Sequence, residues 1–135
     1  MTVETISDFT LGFTLGGVHH IQLSIPPGGE GLSRVFWGDL LGMAELEKPL
    51  EPGSLGGCRF RGGGLEVHLV VETDFRPFRK AHPAVLVHCL GDLARRLEDK
   101  GHPVTWDEGI PGFDCFHTFD KVGNRLEFLE PRNSF

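Results

Sequence analysis

Apolar and polar residues alternate with a period of two in several short stretches of the chain and recur with a helical period in two others. Val18 to Ile25 reads Val-His-His-Ile-Gln-Leu-Ser-Ile, which puts Ile21, Leu23 and Ile25 on one face and His20, Gln22 and Ser24 on the other. That is a strand with one core face and one polar face. Pro26-Pro27-Gly28-Gly29 breaks it, and Glu30 to Leu41 then carries Leu32, Val35, Phe36, Leu40 and Leu41 at helical spacing before a stop at Gly42. A short strand around Met43–Lys48, a turn at Pro49–Gly53, a strand at Cys58–Arg61 and a glycine turn at Gly62–Gly64 follow. In Leu65 to Glu72 the residues Leu65, Val67, Leu69 and Val71 face the core, and Glu66, His68, Val70 and Glu72 face away.

After a polar, basic connection from Thr73 to Ala81 the pattern restarts. Pro83, Val85 and Val87 alternate against His82, Ala84, Leu86 and His88, and Gly91–Gly101 reads as a helix with Leu93 and Leu97 on its apolar side. Strands are predicted at Pro103–Trp106, Asp114–Phe119 and Arg125–Glu130, with a tight turn at Val122-Gly123-Asn124. The order β-α-β-β-β therefore occurs twice, and the predicted fold class is α+β with two βαβββ modules. One domain spans residues 1–135, with an arm at 1–16, module one at about 17–73 and module two at about 82–131. One helix per module covers one face of a four-stranded sheet, so the opposite faces are left to line a cleft.

Composition narrows the partners. The 135 residues fit one domain, and 39% hydrophobic with 24% charged residues fits a soluble globular one. A formal net charge of −6 gives no counterion-release term for a phosphate backbone, so no nucleic-acid partner is expected. No apolar run approaches the roughly 20 residues that span a bilayer, and Met-Thr-Val-Glu-Thr lacks a basic leader pattern, so no membrane partner and a cytoplasmic location are expected. Cys58, Cys89 and Cys115 show no Cys-x-x-Cys spacing and are expected to be buried, apolar-like residues. His102, before Pro103 in a turn, is expected at the surface, and Asn124 is expected to serve the turn.

The histidines carry the candidate chemistry. His20 lies in the first strand of module one and His68 in its fourth; His82 opens the first strand of module two and Glu127 lies in its fourth. All four fall on the parity opposite the apolar residues, so all can face one cavity. Their nitrogen and oxygen donors suit a divalent ion such as Zn, Ni, Fe, Mn or Co.

The segments Val18-His19-His20-Ile21-Gln22-Leu23, Phe36-Trp37-Gly38-Asp39-Leu40-Leu41-Gly42-Met43, Leu65-Glu66-Val67-His68-Leu69 and Gly123-Asn124-Arg125-Leu126-Glu127-Phe128 resemble the vicinal-oxygen-chelate superfamily, over roughly residues 17–131. That superfamily includes glyoxalase I, extradiol dioxygenases and fosfomycin- and bleomycin-resistance proteins. The resemblance implies paired modules forming an incomplete barrel around a cleft, in a homodimer. It also implies a metal held at positions matching His20, His68, His82 and Glu127, of which His20, His82 and Glu127 match the two-His-one-carboxylate set. Gln22, His88 and His117 are candidate substrate-binding residues. The implied activity is that of a divalent-metal-dependent glyoxalase-like lyase, isomerase or dioxygenase, acting on a small-molecule substrate chelated through vicinal oxygens, with Glu127 transferring the proton. The alternative is a metal-free small-molecule-binding or drug-sequestering protein of the bleomycin-resistance type, whose net negative charge would attract a cationic ligand.

Overall fold

The computed structural model describes residues 11–49 and 51–132. Its strands are β1 (Ile21–Ile25), β2 (Ala44–Leu46), β3 (Gly57–Gly62), β4 (Leu65–Val71), β5 (Ala84–Leu86), β6 (Thr105–Asp107), β7 (Phe113–Phe119) and β8 (Arg125–Pro131). The helical elements are α1 (Glu30–Ser33), which runs on into a π-wound segment (Arg34–Leu40), and α2 (Leu90–Asp99). The order is β-α-β-β-β, twice.

The strands form two four-stranded sheets, β1-β4-β3-β2 and β5-β8-β7-β6, and neither closes into a barrel. In each sheet the first strand runs parallel to the fourth and the remaining neighbours are antiparallel. The parallel pair follows from the helical crossover that leaves the first strand, the antiparallel pairs from the turns and loops that join consecutive strands directly. Registers also match. Gln22, His68, Arg59 and Leu46 stand in one cross-strand row, and Ala84, Glu127, His117 and Thr105 stand in the corresponding row of the second sheet.

The alternation read in the sequence decides which face packs. Leu23, Ile25, Phe60, Val67, Leu69, Leu126 and Phe128 are buried on one side of the sheets, against Phe36, Trp37, Leu90 and Leu97 from the helical elements. Each such side chain contributes about 1.5–3 kcal/mol relative to exposure. The two modules share this core, and polar contacts tie them further. The Arg96 guanidinium of α2 donates to the carbonyls of Leu40 at 2.7 Å and Asp39 at 2.8 Å. Asn124 Nδ2 donates to the Ser24 carbonyl at 2.9 Å.

The first helical stretch departs from its predicted face. Leu41 N donates to the carbonyl of Phe36, five residues back, at 3.0 Å, so this stretch is wound wider than an α-helix. Ser33, Phe36, Trp37 and Leu40 form its buried side, while Leu32 and Val35 are left 49% and 40% exposed. Gly42, at φ 72°, supplies the left-handed residue that ends it. Gly57, at φ 116°, lets β3 pass so close to β4 that a Cβ there would strike the Leu69 carbonyl oxygen.

The second helix begins at Cys89, which adopts a left-handed conformation (φ 63°) uncommon for a residue with a side chain. The Glu130 carboxylate on β8 accepts hydrogen bonds from Cys89 N at 2.8 Å and Leu90 N at 3.0 Å, and these bonds hold its pKa below the usual glutamate value. Cys89 is exposed, contrary to expectation, because this turn lifts it off the core; Cys58 and Cys115 are buried as expected. His102 is likewise not at the surface: its ring tucks 5.2 Å from Phe36, and its Nε2–H donates to the Phe119 carbonyl. Residues 1–10 of the predicted arm lie outside the described residues, and 11–16 form no strand. Among the described residues no helix is long and apolar enough to cross a membrane.

Candidate metal centre

Glu127 lies in β8 between Leu126 and Phe128, both in the core, so strand alternation turns its carboxylate to the opposite face. There it is only 7% exposed. His117 of β7 stands directly across from it, and His82 sits two residues before Ala84, the β5 partner of Glu127. One donor atom from each of His82, His117 and Glu127 lies within 4.8 Å of the others.

Hydrogen bonding defines what these atoms offer. His82 Nδ1 is 2.8 Å from the Lys80 carbonyl oxygen. A carbonyl only accepts, so Nδ1–H is the donor and Nε2 of the neutral ring presents a lone pair. That lone pair faces Glu127 Oε1 at 2.9 Å. Two acceptors at this distance repel unless a proton or a metal ion is shared between them. Glu127 Oε2 is buried with no hydrogen-bond partner, and His117 Nε2 is 3.9 Å from Oε1. A buried carboxylate left short of partners is costly, and a divalent cation would satisfy it. The nitrogen and oxygen donors, with Lys80 fixing the His82 ring from behind, fit a borderline divalent ion.

His117 is positioned from two sides. Arg125 donates to its Nδ1 at 3.4 Å, which leaves Nε2–H to donate to Asp107 Oδ2 at 2.9 Å. That bond is the main cause holding the Asp107 carboxyl below the usual aspartate range. An ion bound at Nε2 would displace this proton. Cys115 lies beside Glu127, and burial first, then the carboxylate, pushes its thiol up to about 12.

The remaining predicted residues lie in module one. His20 and His68 stack on each other with ring centroids 3.8 Å apart. Glu66, two residues before His68 on the same face, accepts from His68 Nε2 at 2.7 Å and from Arg61 at 2.8 Å. These bonds hold Glu66 down to about 2. Burial first, then the neighbouring His68 and His19 rings, lowers the His20 pKa. Of the four predicted metal positions the structure thus brings His82 and Glu127 together and pairs His20 with His68 apart from them. Gln22 lies in the same cross-strand row as His68, and His88 is exposed ahead of α2. His117, read from the sequence as substrate-binding, joins His82 and Glu127. Asp107, Arg125 and Arg59 carried no signal in the sequence, because only strand register reveals whom they face.

Two βαβββ modules, with a His–His–carboxylate group on the sheet face away from the helices, define a paired-module protein of the α+β class. No family model matches the chain, and no curated protein does. Solved structures do. A glyoxalase family protein from Bacillus anthracis is 37% identical over 88% of this chain and 98% of its own, with a TM-score of 0.83. The fosfomycin resistance protein FosX from Listeria monocytogenes, complexed with Mn(II) and dihydroxypropylphosphonic acid, shares the fold at 13% identity and a TM-score of 0.70, over 88% of this chain and 95% of its own. TnmS3, an antibiotic binding protein from Streptomyces sp. CB03234, does so at 16% and 0.67, over 88% of this chain and 100% of its own. The chain belongs to the glyoxalase family of the vicinal-oxygen-chelate superfamily.

Proposed function

We propose that the protein is a divalent-metal-dependent enzyme of the glyoxalase type, a lyase, isomerase or dioxygenase that acts on a small molecule bearing two adjacent oxygens. The supporting observation is the confrontation of His82 Nε2 with Glu127 Oε1 at 2.9 Å, next to the partnerless Oε2. His82, His117 and Glu127 would hold the ion, which supplies Lewis-acid stabilisation of charge developing on a bound oxygen. Lys80 orients the His82 ring, and Asp107 with Arg125 orients His117. Glu127 Oε2, left without a hydrogen-bond partner, would take and return a proton at the substrate carbon next to the chelated oxygens.

A homodimer is part of this reading. His20 and His68 belong to the other module, and exposed apolar side chains such as Leu86, at 70%, and Trp106, at 52%, offer surface for a second copy. Fold likeness to both FosX and TnmS3 leaves metal binding as the property that divides an enzyme from a metal-free sequestering protein. Titration of chelator-treated protein with Zn, Ni, Mn and Fe(II) makes the division. Tight binding that is lost in Glu127→Gln supports the enzyme reading, and no binding by the wild-type protein favours the sequestering one.

A further inference from the structure

The matching registers of the two sheets show what module one has in place of a metal centre. Glu127 is matched by His68 and His117 by Arg59, each pair occupying the same place in the cross-strand rows. His82, two residues before Ala84, is matched by His20, two before Gln22. The position that carries an imidazole in module two therefore carries a guanidinium in module one. Arginine is never deprotonated in a protein and has no lone pair to give, and its fixed charge repels a cation. Among the described residues the only group arranged to hold a metal is the one in module two.

Arg59 lines a cavity of about 370 Å³ together with Gln22, Lys48, Ser54 and His68. Lys48 Nζ is steered by the Ser54 hydroxyl at 3.0 Å. The nearest acid to Arg59 among the described residues, Glu51, lies 3.9 Å away with its side chain 61% exposed, too long for a hydrogen bond and well screened. The Arg59 side chain itself is only 28% exposed, and it lines this cavity. Among the residues lining the cavity two cations stand against one loosely held carboxylate, Glu51, in a chain whose net charge is −6; Glu30 stands next to the lining residue Gly56 with its carboxylate taken up by Gly57 N at 2.9 Å.

We propose that this recess is an oxyanion-binding site, in which Arg59 and Lys48 seat a carboxylate or phosphoryl group borne by the protein's small-molecule ligand. Arg59 supplies the planar fork that pairs with two oxygens of one group, and Lys48 adds a point charge. The modules have thus divided their inherited positions, one side for a cation and the other for an anion. The inference goes beyond the metal centre and stands without it.

The test is an amide chemical-shift titration of the full chain with acetate and, separately, inorganic phosphate, beside a metal titration of the same samples. Saturable shifts around Gly56, Gly57 and His68 are expected with at least one probe, and which probe binds identifies the group. Arg59→Gln should weaken that binding about tenfold or more, Arg59→Lys less, and Lys48→Gln measurably, with amide spectra showing the variants folded. Glu127→Gln should leave anion affinity within about twofold of wild type while it lowers metal affinity, so failure of the metal reading and failure of this one are told apart. Absence of saturable shifts with both probes, shifts centred elsewhere, or unchanged affinity in folded Arg59→Gln and Lys48→Gln would overturn the proposal.

Discussion

Replacing Asn124 by alanine removes a latch between the modules. Asn124 is 1% exposed, and its amide is fully used. Oδ1 accepts from Phe78 N at 3.0 Å, while Nδ2 donates to the Ser24 carbonyl at 2.9 Å and to Asp120 Oδ2 at 3.1 Å. The bonds to Phe78 and Ser24 are part-buried, so each contributes about 0.5–1.5 kcal/mol; the third ends on a buried carboxylate, where loss of the donor costs about 1.5–3 kcal/mol. Asn124→Ala should therefore lower the unfolding free energy by about 3 kcal/mol, equivalent to about 10 °C in Tm for a chain of this length. Asn124→Asp gives a second reading. It keeps an acceptor for Phe78 but sets a second carboxylate against Asp120, whose pKa burial already raises. Because the folded state binds that proton at higher pH than the unfolded one, stability tied to Asp120 is present below its ordinary value of 3.8 and is lost as pH rises through the raised one. Asn124→Asp should thus recover toward wild type in acid. Urea denaturation at neutral and acid pH, fitted with a common slope, measures both. A loss under about 1 kcal/mol in Asn124→Ala, or no acid recovery in Asn124→Asp, would refute the latch.

Two further outcomes follow from titrating groups. Glu66 sits at about 2 in the folded protein against an ordinary 4.5, so its bonds to His68 and Arg61 stabilise the fold fully above about pH 4.5 and drain as pH falls toward 2; Glu66→Gln should flatten the urea midpoint across that window. Cys58 and Cys115 are buried with thiols raised to about 11 and about 12, whereas Cys89 is exposed, so Ellman's reagent at pH 8 should label one thiol promptly and the other two only on unfolding.

Much of this structure was legible in the chain because strand periodicity and strand burial express the same geometry. Leu65, Val67, Leu69 and Val71 alternate against Glu66 and His68 in the sequence, and the structure seats them on opposite faces. Repetition of element order exposed the two modules. What stayed hidden depends on register or on which of two overlapping apolar stripes is buried. The partnership of His117 with Asp107 and Glu127 arises from where β6, β7 and β8 are paired, and no spacing along the chain encodes it. The same holds for Arg59, which occupies the place of His117 in the other sheet. In the first helix two apolar stripes overlap, and the one through Phe36, Trp37 and Leu40 is buried while Leu32 and Val35 face outward. His102 and Asn124 look like turn residues locally, but their partners, Phe119 and Ser24, lie 17 and 100 positions away.

The central claim is that His82, His117 and Glu127 form one metal centre, and metal content measured per chain tests it most directly. Protein purified without chelator should carry about one divalent ion per chain, with folded His82→Ala and Glu127→Gln variants losing it or binding it at least about tenfold more weakly. Equal metal content in the wild type and both variants, or a wild-type chain that binds no divalent ion on titration, would contradict it.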